Sequence, residues 1–307
     1  MPIKVSLVGH ISIDTIIHEG KVQKSVGGTV IYGSLATLKH GIKPYIISKV
    51  GRDFSDEYFI KLNRMGIDLS GLRVVSSRTT SFKLKYKNGQ RDLYLLSRCD
   101  DIFPEDINVD KIKNGVVIIG PIVGEVPLST VKLISNHATL TVIDIQGYIR
   151  NIDLDNKVLL KSTPTALSVI KYADILHAEI YEASVLLGIN DPIKAAKSII
   201  NLGAGIVLIT LGEEGSYVVS KSEALYVPIV DAKTIDRTGC GDVYTTVFAI
   251  EYQRTGDMYF AAAMATTASA YLSEGIGPKG LQPRWRVKRK AEEIIDKIKP
   301  IEELEKE

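Results

Sequence analysis

Cysteine is scarce: Cys99 and Cys240 are the two in 307 residues. They form no disulfide framework and no paired metal-ligand spacing, which fits a reducing compartment. Charge of one sign is missing too, because 38 Lys and Arg against 36 Asp and Glu leave a formal +2. Such a chain has no overall basic field to draw in nucleic acid or an anionic membrane. No apolar run reaches the roughly 18 residues that span a bilayer, and the opening "MPIKVSLVGHISID" lacks a signal-peptide core. The expectation is a cytoplasmic protein with neither nucleic-acid nor membrane partners. The basic run over 284–290 reads as a solvated helix face.

Several chemical signatures are also absent. There is no Gly-x-x-x-x-Gly-Lys-Ser/Thr loop, and no Gly-x-Gly-x-x-Gly follows the first strand, which argues against nicotinamide and flavin enzymes. No Gly-x-Ser-x-Gly elbow and no His-Glu-x-x-His occur either.

What is present is ordinary globular composition, 45% hydrophobic and 24% charged. Short apolar runs ("IKVSLVG", "PYIISKVG", "GVVIIG", "TLTVIDI", "YADILHA", "GIVLIT") alternate with helical patterns such as "TVIYGSLATLKHG", "DFSDEYFIKLNRMG" and "DPIKAAKSIINLG". This predicts an α/β fold, a doubly wound and mostly parallel sheet with helices on both faces, as one domain over residues 1–307. The segment 79–97 breaks the rhythm by alternating with period two on both sides of Asn88-Gly89, a hairpin signal. With a second β pair in "DTIIHEGKVQKSVGG" it predicts a small β lid from about 14–26 and 78–98; an ordinary edge hairpin is the plainer alternative. An exposed lid edge offers a surface for homodimer pairing.

Open α/β sheets bind ligands at the carboxyl ends of their strands. Asp14, Gly27-Gly28, Asp144, Gln146, Arg150, Glu179, Glu182 and the "TLGEEG" stretch 210–215 all follow strand patterns. The sharpest feature is "DRTGCGDVYTTVFAIEY". Gly239 and Gly241 let the backbone approach a bulky group, and Asp242 falls in the first turn of a helix, where free N–H groups and the dipole favour an anion. A carboxylate there suits proton acceptance beside a charged group in transfer, although a simple helix-cap aspartate has the same pattern. For Cys240 a small apolar fill is the plain reading; the alternative is that the helix N-terminus lowers the thiol pKa and makes it reactive towards electrophiles.

In order along residues 3–280, "VGHISID", "VGGTVIYGSLATLKHG", "HAEIYEA", "TLGEEGSYVV" and "DRTGCGDVYTTVF" resemble the signatures of ribokinase-like (PfkB) carbohydrate kinases. The resemblance implies ATP and Mg²⁺ as cofactors and a small polyol or sugar as partner. It makes Asp242 the base facing the acceptor hydroxyl, and the N–H groups of Gly239, Cys240 and Gly241 the anion hole. Phosphoryl transfer needs such positioning and charge stabilisation more than covalent chemistry. Glu182 matches the acid of an Asn-x-x-Glu motif that supports Mg²⁺, with Glu179 where Asn is usual; both also read as exposed first-turn acids. Thr210, Gly212, Gly215, Ala265 and Thr266 become the nucleotide wall, and Asp236 a monovalent-cation position.

Tyr32 stands where many sugar kinases of the family have an Asn, whereas "VIDIQGYIR" and "GPIVGEVP" resemble the myo-inositol 3-kinase branch. Asp14, Gly27, Gly28, Gln146 and Arg150 are then the acceptor-binding set, supplying the donors and acceptors that neutral hydroxyls need. For Gln146 and Arg150 a solvated loop is the plain alternative. A cytidine-like nucleoside, a phosphorylated hexose, and a silent polyol- or nucleotide-binding regulator complete the range.

Overall fold

The computed structural model describes residues 2–18, 21–87 and 90–301. Apolar runs without alternation need cover on both faces, and the sheet supplies it. The chain begins with β1 (Val5–Val8) in the interior of a ten-stranded sheet. It leaves that sheet for an antiparallel pair, β2 (Ser12–His18) and β3 (Lys21–Gly27). Next β4 (Pro44–Gly51) and β5 (Asp68–Val75) build outward on one side of β1. A second antiparallel pair, β6 (Ser81–Lys87) and β7 (Gln90–Ser97), again lies outside the sheet.

β8 (Val116–Ile119) then takes the other side of β1, and β9 (Leu140–Asp144) extends it. After the short hairpin β10 (Arg150–Ile152) and β11 (Val158–Leu160), the sheet continues with β12 (Ile175–Glu179) and β13 (Ile206–Thr210). All these neighbours in the main sheet are parallel. Three antiparallel strands close the edge beyond β13: β14 (Ser216–Ser220), β15 (Ala224–Val227) and β16 (Lys299–Pro300). Sequence periodicity identifies neither this edge nor β5.

Side chains alternate between two cores. Val116 and Ile118 of β8 join the cluster under the helices Thr29–Lys39, Cys240–Thr255 and Met258–Ser273, and Val117 and Ile119 join the cluster on the opposite face. The helix Cys240–Thr255 is buried along most of its length, including Glu251. The segment 283–298 forms a shorter helix than its pattern predicts, Arg284–Ala291, followed by a 3-10 turn.

The two excursions combine into one four-stranded sheet in the order β3-β2-β6-β7, with β2 parallel to β6. Phe82 and Leu84 on one face pack against Ile122 and Val123 from the loop after β8. β7 is tied to the β10–β11 hairpin by Leu95 N–H donating to Asn156 O at 2.8 Å. The turn residues Asn88 and Gly89 lie outside the described residues, as do Glu19 and Gly20. Chain order reverses between β1 and β8, so the crevice at their carboxyl ends is where such a sheet binds ligands.

Candidate active site

The loop before the helix Cys240–Thr255 is a tight turn built around one glycine. Gly239 takes φ 82° and ψ 3°, and Cys240 N–H donates back to Arg237 O at 3.1 Å, the geometry of a type II turn with its glycine third. The Cys240 N–H is therefore spent on the turn, which corrects its assignment to the anion hole. Gly239 and Gly241 keep N–H groups with no acceptor among the described residues. Asp236 pins the loop: Oδ1 accepts from Thr238 N–H at 2.9 Å and Oδ2 from Gly277 N–H at 2.9 Å. Both oxygens of the residue expected to serve a monovalent cation thus hold backbone.

Asp242 sits in the first helical turn with its side chain partly accessible. Burial and the neighbouring Asp144 charge raise its pKa to about 6, against the Thr29 hydroxyl and the charges of His177 and Arg150. At Cys240 burial, with the Asp236 and Asp242 carboxylates, raises the thiol pKa against the Ser269 contact, which favours the small-apolar-fill reading.

Beneath this turn, at the ends of β9 and β13 and in the middle of β12, lie Asp144, Thr210 and His177. His177 Nδ1 is 2.9 Å from Asp144 Oδ2, and Nε2 is 3.2 Å from Thr210 Oγ1. A β-carbon on Gly241 would stand 3.2 Å from His177 Cε1, so the imidazole is directly under the glycine turn. Glu182 is buried, and its Oε2 accepts from Glu179 N–H at 2.9 Å, capping the helix Ile180–Leu187. Burial and the charges of Asp144 and Glu179 push its pKa up to about 7. That surplus of negative charge suits a nearby cation. Among the described residues no His, Cys, Asp or Glu cluster holds a metal by itself. The donor set fits Mg²⁺ carried mainly by phosphate oxygens and water, with one carboxylate in support.

On the side of the four-stranded sheet, Asp14 Oδ2 accepts from Ser12 Oγ at 3.0 Å and Oδ1 from Phe82 N–H at 3.3 Å. Burial raises its pKa to about 6, against those bonds and the Arg150 charge. The missing side chain of Gly27 makes room for it, since a β-carbon there would meet Asp14 Oδ2 at 2.9 Å. Gly28 caps the helix Thr29–Lys39 at φ 97°, with His10 O where a β-carbon would fall. Arg150 Nη1 donates to Ile122 O at 2.9 Å and Nη2 to Gln146 Oε1, with the guanidinium 5.8 Å from the Phe82 ring centre. These contacts tie both part-buried side chains to protein partners.

The nucleotide-wall residues divide. Gly212 and Gly215 have φ 62° and 92° on the loop between β13 and β14, and Thr210 ends β13. Ala265 has no exposure and belongs to the core, and Thr266 is buried with its hydroxyl 3.4 Å from Pro228 O. Their spacing on the helix Met258–Ser273 turns both inward. Three residues that matter went unassigned in the sequence. His177 is a polar interruption of the apolar run "ADILHA", and Tyr32 packs on Gly239. Glu125, fully buried, accepts from the His10, Ile122 and Val123 N–H groups at 2.7–3.0 Å and joins β1 to the loop after β8. A cavity of about 880 Å³ opens at the opposite end of β1 and β8 and contains none of this chemistry.

Residues 3–280 match the pfkB family carbohydrate kinases. The chain belongs to that family. It is an enzyme that transfers a phosphoryl group to an alcohol, within a family of sugar, polyol and nucleoside kinases. It is 25% identical to the cytidine kinase of Thermococcus kodakarensis, over 81% of this chain and 88% of that protein. It is 27% identical to the inositol 3-kinase of Arabidopsis thaliana, over 78% of this chain and 65% of that protein. Its fold is that of a pyrophosphate-dependent kinase in the ribokinase family, solved with a pyrophosphate analog and myo-inositol (TM-score 0.79, 24% identity, 89% of this chain and 96% of that one). The ribokinase of Arabidopsis thaliana complexed with ribose and ATP gives a TM-score of 0.78 at 19% identity, covering 95% of this chain and 99% of that one.

Proposed function

We propose that this pfkB kinase transfers the γ-phosphoryl group of ATP to a hydroxyl of a neutral polyol or sugar, with myo-inositol the first candidate. The observation that carries the reading is the Asp242 carboxylate, poised near pH 6 beside the open N–H groups of Gly239 and Gly241. Asp242 orients the acceptor hydroxyl and takes its proton as the bond to phosphorus forms, and the glycine turn receives the charge on the transferred group. Bound with the nucleotide, Mg²⁺ neutralises phosphate charge, and Glu182 would support it.

The acceptor side favours neutral hydroxyls. Asp14, the Gly27–Gly28 backbone and Gln146 offer paired acceptors and donors. Arg150, the cation that would grip a phosphorylated sugar, already bridges Ile122 and Gln146. A nucleoside would need an aromatic face, but Phe82 is 3% exposed beneath Arg150, and Tyr32 is 4% exposed against Gly239. The similarity to a cytidine kinase keeps cytidine as the second reading.

The donor side favours a base. Ile235 and Ile276 are each 60% exposed, and both adjoin the tie between Asp236 and Gly277. An apolar rim beside an anion hole suits adenine, whereas pyrophosphate has nothing to place there. At the far end of the lid, Val22 is 66% exposed on edge strand β3, which supports homodimer pairing along that edge.

The test is product formation with ATP and Mg²⁺, and separately with pyrophosphate, over myo-inositol, ribose, fructose, fructose 6-phosphate, cytidine and adenosine. Turnover of myo-inositol with ATP supports the proposal. Turnover of cytidine alone moves the acceptor, turnover with pyrophosphate alone moves the donor, and a folded protein with no turnover rejects both assignments.

A further inference from the structure

Four groups around the carboxyl ends of β9 and β13 and the middle of β12 are joined end to end. Gln146 N–H donates to Asp144 Oδ1 at 2.9 Å, Asp144 Oδ2 pairs with His177 Nδ1 at 2.9 Å, and His177 Nε2 meets Thr210 Oγ1 at 3.2 Å. The two inner members are buried, and the two outer ones are partly exposed. One end, Gln146, opens the short helix that leads to Arg150 among the acceptor-facing groups. The other end, Thr210, leads into the Gly212–Gly215 loop on the donor side.

We propose that this chain makes the two substrate sites mutually dependent, with His177 as the positioning residue that transmits donor binding to Gln146 and Arg150. The inference rests on the nucleotide-donor reading above. A carboxylate only accepts, so the proton between Asp144 and His177 belongs to Nδ1. Burial lowers the His177 pKa, but the Asp144 ion pair and the Glu182 and Glu179 charges outweigh it and raise the value to about 9. Nε2 holds the Thr210 hydroxyl at 3.2 Å, and the hydroxyl's remaining hydrogen-bonding capacity is left for a partner in the cleft, as a phosphate oxygen would be. Pulling that hydroxyl towards phosphate alters the His177 bond, and through Asp144 the tether on Gln146 N–H. Neither inner group can drop its partner cheaply, because a buried ionised group left unpaired is heavily penalised.

The test is hydrogen exchange of the full chain with and without saturating Mg²⁺ and the non-hydrolysable analogue AMP-PCP, with binding verified by calorimetry. No acceptor is needed. In the parent protein, exchange over residues 145–150 slows about five-fold or more on binding, the scale of a typical coupling between sites. Thr210→Ser keeps the slowing. Thr210→Val, which loses its own phosphate contact and binds the analogue more weakly, and His177→Asn, which keeps a donor for Asp144 but cannot reach Thr210, are each read at an analogue concentration that saturates them and leave that exchange unchanged. If His177→Asn does not fold, Thr210→Val decides, since it alters only the exposed end. Equal slowing in Thr210→Val, or none in the parent protein despite binding heat, overturns the coupling. No binding heat at all rejects the nucleotide donor, and the coupling with it.

Discussion

The ring of Tyr32 packs against Gly239, so close that a β-carbon there would come within 2.2 Å of Tyr32 Cδ1. Tyr32 is thus a floor for the glycine turn. Gly239→Ala should fail twice, by collision with the ring and by φ 82°, a left-handed angle costing a side chain roughly 1 kcal/mol or more. We expect kcat to fall about 100-fold, the scale of losing one anion-hole donor, with acceptor KM little changed. Steady-state kinetics check this. Adding Tyr32→Ala relieves the collision but not the angle, so the double variant recovers only part of the loss.

Asp242 carries the pH dependence. A base with its pKa raised to about 6 is active when deprotonated, so kcat/KM should rise through an apparent pKa near 6 and level off above it. Asp242→Asn removes that limb and lowers kcat by about 100-fold or more. Its effect on stability has the opposite sign. A carboxylate whose folded pKa exceeds its unfolded 3.8 favours the folded state at low pH and loses that contribution as pH rises to about 6. The variant should therefore be more stable than the parent at pH 7.5, by roughly 1–3 kcal/mol, with the difference vanishing below pH 4. Urea unfolding at both pH values measures it, and a less stable variant at pH 7.5 contradicts the raised pKa of Asp242.

Arg150 should not tolerate lysine. Its guanidinium reaches Ile122 O and Gln146 Oε1 together, which an ammonium point charge cannot do. Arg150→Lys should raise acceptor KM about ten-fold through the lost charged hydrogen bond, with a smaller effect on ATP KM. Because it keeps the cation near Asp14 and Asp242, the pH limb stays in place. Arg150→Met should move that limb upward.

The legible part of this molecule is what periodicity and turn chemistry encode locally. β1, β4, β8, β9, β12 and β13 coincide with unalternated apolar runs, because a strand covered on both faces has no polar side to show. The Gly239–Asp242 turn is legible because a type II turn needs its glycine. The illegible part depends on what meets across strands. Asp144 and His177 are 33 residues apart, and neither marks the other in sequence. The helix terminus alone would activate the Cys240 thiol; Asp236 and Asp242 are its neighbours in the motif, but the burial that dominates its pKa shows only in the fold. Ala265 and Thr266 look like a wall until the helix Met258–Ser273 is seen to turn that face into the core.

Cys240 accordingly predicts a quiet thiol. Its Sγ is 3.6 Å from Ser269 O, and its pKa is raised by burial and then by the two carboxylates. Iodoacetamide at pH 7.5 should label it far more slowly than a free thiol, with or without ATP, and Cys240→Ala should retain near-parental kcat. Rapid labelling that nucleotide prevents would restore the activated thiol.

Glu251 is the test of what holds the site helix in place. It has no exposure, yet it accepts from Arg284 through both oxygens at 2.7–2.8 Å and pairs with His40 at 2.9 Å. Burial alone would raise its pKa, but the His40 and Arg284 bonds and charges outweigh that and hold it down to about 2. For such a carboxylate the stabilisation is fully present above the unfolded value of 4.5 and is lost as pH falls through about 2. Arg284→Met leaves a buried charge under-compensated, and should cost about 3 kcal/mol in urea unfolding at pH 7. The gap between parent and variant should narrow steadily from pH 4.5 down. A gap that stays constant over that range would mean that Arg284 stabilises the helix by packing alone.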